Sequence, residues 1–171
     1  MTVKDKQISF LKHEFASLAW NGAVQHAGVY KDNIQEEKRA KNAKEALINF
    51  EKTEYEKQVT SSEQFQKIEK FSACLKEKCG DIFHDDRLFA VSQKALNLYL
   101  KYLWCAGILA FEPSHCPIDN VVLAKIGKKL GWHNMTHEQY QEIMKEIDKK
   151  AERKGIAVLE LEIWNKYQGN I

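Results

Sequence analysis

The run from Ala95 to Phe111 limits what this chain can fold into more than any other feature. It is apolar on nearly every helical face and is interrupted only by Asn97 and Lys101. A helix that is hydrophobic all round has to be covered on all sides. At this length it falls short of the ~20 apolar residues that cross a bilayer. The run therefore predicts a central buried helix, with the rest of the chain arranged around it.

What surrounds it also reads as helix. The chain has two prolines and eight glycines, and few clusters of valine or threonine, so breakers and strand formers are both scarce. Ile8, Leu11, Phe15, Leu18 and Ala19 mark a first helical stripe ending near Asn21-Gly22. A charged segment from about Asn33 to Lys57 carries Ala43, Leu47 and Phe50 on a second, half-exposed helix. Thr60 with Glu63 is a capping box ahead of Phe65, Ile68 and Leu75, and Gly80 ends that helix. Residues 81–90 read as a connector and Pro113 to Pro117 as a rigid turn. Asp119 caps a helix that runs to about Leu130 and stops at Gly131. Thr136 with Gln139 is a second capping box, opening a helix that reaches Gly155. The tail alternates at Leu159, Leu161 and Ile163, yet a lone strand has no partner, so helix is predicted there. The fold expected over residues 1–171 is all-α, a single-domain orthogonal helical bundle around its central helix; 44% hydrophobic residues suffice for such a core.

Charge is nearly balanced, 26 basic against 24 acidic residues, and does not by itself call for a nucleic-acid partner. The N-terminus MTVKDKQISFLKHEF has no uninterrupted apolar stretch, which points to a cytoplasmic protein without a signal peptide or membrane anchor. Four cysteines, Cys74, Cys79, Cys105 and Cys116, are expected reduced, with Cys105 a core side chain. His115 and Cys116, His133 and His137, and Cys74 and Cys79 lack finger-like spacing, so neither a metal centre nor a cofactor is expected. His84-Asp85-Asp86 reads as a polar loop, and Tyr99, Tyr102 and Trp104 as core aromatics rather than a base-stacking surface.

Chemistry is expected at Lys94 and Asp119, which would lie at the starts of two successive helices. There the positive helix end lowers the affinity of an amine for its proton and keeps a carboxylate charged. Lys125, Lys128 and Lys129, with no acid between Asp119 and Glu138, would form a basic helical face able to meet phosphates.

Residues Ala90-Val91-Ser92-Gln93-Lys94-Ala95-Leu96-Asn97, Pro117-Ile118-Asp119-Asn120-Val121-Val122 and Lys129-Leu130-Gly131 together resemble the core motif of the helix-hairpin-helix DNA glycosylases. That motif reads roughly G-V-G-R-K-T-A-N, P-V-D-T-H-V and R-L-G; the resemblance covers residues 90–132, within a glycosylase-like core segment of about 81–135. It implies that Lys94 attacks the sugar as an amine, that Asp119 assists loss of the base, and that Ser92 and Gln93 meet a phosphate of duplex DNA at the hairpin. Ala90 and Ser92 stand where the family carries hairpin glycines. The alternative expectation is a non-catalytic helical module that binds a protein partner and uses Asp119 only as a cap.

Overall fold

The computed structural model describes residues 1–32 and 36–169, without the side chains of 36–40. Among these residues the secondary structure is seven α-helices: α1 (Val3–Val24), α2 (Glu36–Glu54), α3 (Ser61–Cys79), α4 (Asp85–Cys105), α5 (Asn120–Lys125), α6 (His137–Ala151) and α7 (Ile156–Tyr167), with a 3-10 turn at Trp132–Asn134. The one β pairing among them is an isolated antiparallel bridge between Tyr30 and Phe83. The all-α expectation holds, and the tail is helix. The start of the predicted second helix, residues 33–35, lies outside the described residues.

Helix α4 is the centre of the molecule, packing against α1, α2, α3 and the 3-10 turn, while α7 rests on α5 and α6. Its burial is close to complete from Leu88 to Leu103, with only Lys94, Leu98 and Tyr102 partly exposed. The buried face of α1 is built from Ala16, Ala19, Trp20 and Ala23. Three small residues let the two helix axes approach closely. The stripe read from the sequence is corrected at one position: Leu18 is 56% exposed, while Phe15 packs against Tyr102 of α4.

The ends of the elements follow local chemistry. All three first-turn boxes, Thr2 with Asp5, Thr60 with Glu63 and Thr136 with Gln139, form reciprocal side-chain to backbone hydrogen bonds. Several boundaries differ from the sequence reading. The stretch 81–90 is not all connector, since α4 starts at Asp85, with Asp85 and Asp86 in its first turn where acids favour the helix. The central helix stops at Cys105 rather than Phe111 because Gly107 takes φ +68°. Cys105 is consequently exposed at a helix end, and the buried thiol is Cys116. Helix α5 ends at Lys125 rather than Leu130, two residues before Gly127 at φ +78°. Helix α6 ends at Ala151, where Glu152 adopts φ +52°. No helix among the described residues is long and apolar enough to cross a membrane.

Candidate functional site

The backward extension of α4 changes the setting of the expected active lysine. Lys94 does not open a helix; it lies in the middle of α4. Its amine is carried toward the turn at residues 117–119, where Nζ stands 3.8 Å from Asp119 Oδ2, with the side chains 12% and 20% exposed. The other face of the amine covers the Trp132 ring, 4.4 Å from its centroid. Burial pulls the Lys94 pKa below the ordinary lysine range, and the Asp119 charge offsets only part of that effect.

Asp119 divides its carboxylate between two duties. Oδ1 accepts hydrogen bonds from the backbone N–H of Val121 (2.9 Å) and Val122 (3.1 Å), capping α5 as expected. Oδ2 faces the lysine. The structure thus brings together the two residues that the sequence singled out, but through a mid-helix lysine and a helix cap rather than through two helix starts.

The remaining predicted contacts are not brought to this site. Ser92 and Gln93 are fully buried, so neither can meet a phosphate. Ser92 Oγ donates to the carbonyl of Leu88 at 2.7 Å, a bond to the preceding turn that requires continuous helix where a hairpin was expected. The carboxamide of Gln93 is engaged at both ends: Nε2 donates to Ile118 O (2.9 Å) and Oε1 accepts from Ile118 N (3.1 Å). Lys125, Lys128 and Lys129 are exposed, but only Lys125 is helical, and Lys128 Nζ pairs with Glu146 at 3.0 Å. The acid absent from the local sequence arrives from α6.

Sequence reading missed a second constellation, a buried chain of hydrogen bonds that crosses the core. Tyr55 OH donates to Gln64 Oε1 (2.8 Å), and Gln64 Nε2 donates to Asn97 Oδ1 (2.9 Å). Asn97 Nδ2 donates to Cys116 O (3.2 Å) and to Tyr140 OH (3.0 Å). His115 Nδ1 is 2.9 Å from Tyr140 OH, and Nε2 is 2.7 Å from Ser61 Oγ. Ser61 opens α3 at a cleft that Phe65, His115, Tyr140 and Met144 also line. In outline this is a serine, a histidine and an orienting hydroxyl.

The direction of the bonds decides against an activated serine. A carbonyl only accepts, so the contact with Cys116 O fixes which end of Asn97 is the NH2. Tyr140 therefore accepts from Asn97 and donates its single proton to His115 Nδ1. A neutral His115 must then carry its proton on Nε2 and donate it to Ser61 Oγ. A serine that receives a hydrogen bond from the imidazole is not deprotonated by it. The chain is a structural network rather than a nucleophile and base.

One measurable consequence is acid sensitivity. Burial lowers the His115 pKa to about 4 from 6.5, with the Ser61 backbone opposing part of the change. The unfolded chain therefore binds a proton between those pH values that the folded chain refuses. Stability from this group is complete above pH 6.5 and declines as pH falls toward 4. By pH 4.5 the loss should be about 2–3 kcal/mol. Urea melts at pH 7 and 4.5 should show this extra loss in the native protein and not in His115→Gln, whose amide can make both bonds without titrating. Equal losses in the two proteins would remove His115 from the acid response.

The other loose candidates have ordinary surroundings. His137 pairs with Glu69 at 3.3 Å and packs on the Phe89 ring. No three histidine, cysteine, aspartate or glutamate side chains among the described residues come together as a metal site would require. No family model, curated protein or solved structure matches this chain.

Proposed function

We propose that this protein binds duplex DNA and releases a flipped base by glycosylase-like chemistry at Lys94 and Asp119. The observation that carries the reading is the meeting of the two groups: an amine kept short of solvent stands 3.8 Å from the one carboxylate oxygen that helix capping leaves free. The Lys94 lone pair would attack the anomeric carbon while the carbon–nitrogen bond breaks and its electron pair leaves with the base. Asp119 Oδ2 would stabilise the positive charge that develops on the sugar. A base inside a duplex has to leave the stack to reach such a pair. Exposed Lys125 and Lys129 supply charge for the phosphates.

A second reading, a non-catalytic helical module that binds a protein partner, has one observation in its favour. The hairpin that would grip DNA is replaced by uninterrupted helix, with Ser92 and Gln93 inside the core.

Borohydride trapping on abasic and damaged duplexes, run beside an assay of base release, separates the two. Native protein should form a covalent adduct. Lys94→Gln should form none, because an amide cannot make a Schiff base. Asp119→Asn should stay folded, since asparagine caps nearly as well, and lose base release by a factor of roughly 10² or more, the scale of removing one transition-state charge partner. Replacing Lys125, Lys128 and Lys129 with glutamine should weaken duplex binding and flatten its salt dependence, by about one unit of slope per lost phosphate contact. Native protein that neither traps nor releases any base, with duplex affinity indifferent to the triple variant, would leave the interaction module.

A further inference from the structure

We propose that Gln93 is the positioning residue of the Lys94–Asp119 site, its carboxamide clamping the Asp119 turn onto α4 so that carboxylate and amine stay in register. The proposal rests on the Lys94–Asp119 reading above, but not on DNA being the substrate.

The geometry is specific. Gln93 directly precedes Lys94, and Ile118 directly precedes Asp119. One fully buried amide joins the two, giving its donor to Ile118 O and its acceptor to Ile118 N. One helical turn further on, Asn97 Nδ2 holds Cys116 O in the same segment. The contacts of Asp119 within its own chain segment, to Val121 N and Val122 N, fix the carboxylate relative to α5 only. What ties the residue next to it to α4 is the stitch at Gln93, with Asn97 holding the same segment two residues earlier. A side chain that offers a donor and an acceptor at once is needed to match both polar groups of a single residue. Misplacement of a reacting pair by about 1 Å can cost roughly 10²-fold in rate, so a clamp beside each partner bears directly on what the pair can do.

The test reads the Lys94 amine itself. Full-length protein is treated with glycolaldehyde and cyanoborohydride across pH 6–10, and modification is measured residue by residue by mass spectrometry. The native Lys94 midpoint should lie below the ordinary lysine range. In Gln93→Met the turn at residues 117–119 comes away from α4 and solvent reaches the amine. The Lys94 midpoint should then rise above its native value, and modification at pH 8 should slow roughly tenfold for each pH unit by which the midpoint climbs. Asp119→Asn, which keeps the burial and removes the charge, should move the midpoint the opposite way. A clamp with a merely structural role would lower the melting temperature and leave the Lys94 profile unchanged.

Only protein with native far-UV circular dichroism and a cooperative melt is scored. Should Gln93→Met fail to fold, Gln93→Asn decides: one methylene shorter, it reaches only one of the two backbone groups and should give a smaller upward movement of the midpoint. A native midpoint in a folded Gln93 variant overturns the proposal. Absence of trapping on DNA, with the midpoints moving as stated, sinks the glycosylase reading and leaves the clamp standing.

Discussion

Lys101→Ala will destabilise the protein by about 3–5 kcal/mol, the range for removing one partner of a buried ion pair. Lys101 Nζ lies 2.7 Å from Glu160 Oε2, with side chains 10% and 5% exposed, and this contact fastens α7 to α4. The Trp164 ring covers the ammonium at 5.4 Å. Truncation leaves Glu160 buried and alone. Burial already raises the Glu160 pKa against the pull of Lys101, so in the variant the carboxyl will be driven further toward its neutral form. The defect should therefore shrink as pH falls from 7 toward 5, since protonation removes the orphaned charge. The double variant Lys101→Met with Glu160→Leu should return to within about 1–2 kcal/mol of native, because an apolar pair of similar volume often replaces a buried ion pair at little cost. Urea melts of Lys101→Met, Glu160→Leu and the double form a complete cycle; a double variant as weak as Lys101→Ala would show that packing, not the orphaned charge, sets the loss.

The second large effect is expected at Asn97. Asn97→Leu keeps the volume and removes three hydrogen bonds at once, leaving Gln64 Nε2 without an acceptor, Cys116 O without a donor and Tyr140 OH with one partner fewer. All three neighbours are buried, and an unsatisfied buried polar group costs about 1–3 kcal/mol. The expected loss is about 3–5 kcal/mol in denaturant melts, with the slope of the transition unchanged. A loss below about one kilocalorie would mean that the network is dispensable.

Both residues show how far the sequence could be read. Asn97 and Lys101 were visible as the two breaks in an apolar run, and with Gln93 they fall at intervals of four, which places three polar side chains on one face of α4. Taken as interruptions, they said only that the run was no membrane span. Taken as a stripe, they would have announced a buried polar spine, because a helix covered on all sides has no solvent face on which to put them. The capping boxes at Thr60 and Thr136 and the cap at Asp119 were legible because their chemistry lies within three residues. The start of α4 was not, since Leu88 to Val91 are buried, with Phe89 against Phe65 of α3 and His137 and Tyr140 of α6, a tertiary fact. The same extension explains the candidate site. Lys94 and Asp119 were identified by residue type, and their convergence came from the stitching of the 116–118 segment to α4, which local pattern does not encode. The partner of Lys128 was hidden for the same reason, because Glu146 is remote in sequence.

The segment from Pro113 to Asp119 has no regular secondary structure, yet His115, Cys116 and Ile118 are among its most buried members, and four side chains of other elements hold it in place. Amide exchange in such a segment is governed by what it is tied to rather than by its own lack of helix. The Ile118 amide is bonded to Gln93 Oε1, a side chain of the central helix, and is protected by that helix rather than by its own segment. In the hierarchy of opening events this stretch belongs with α4, so proteases that nick loops in partially opened states should find it among the last to yield.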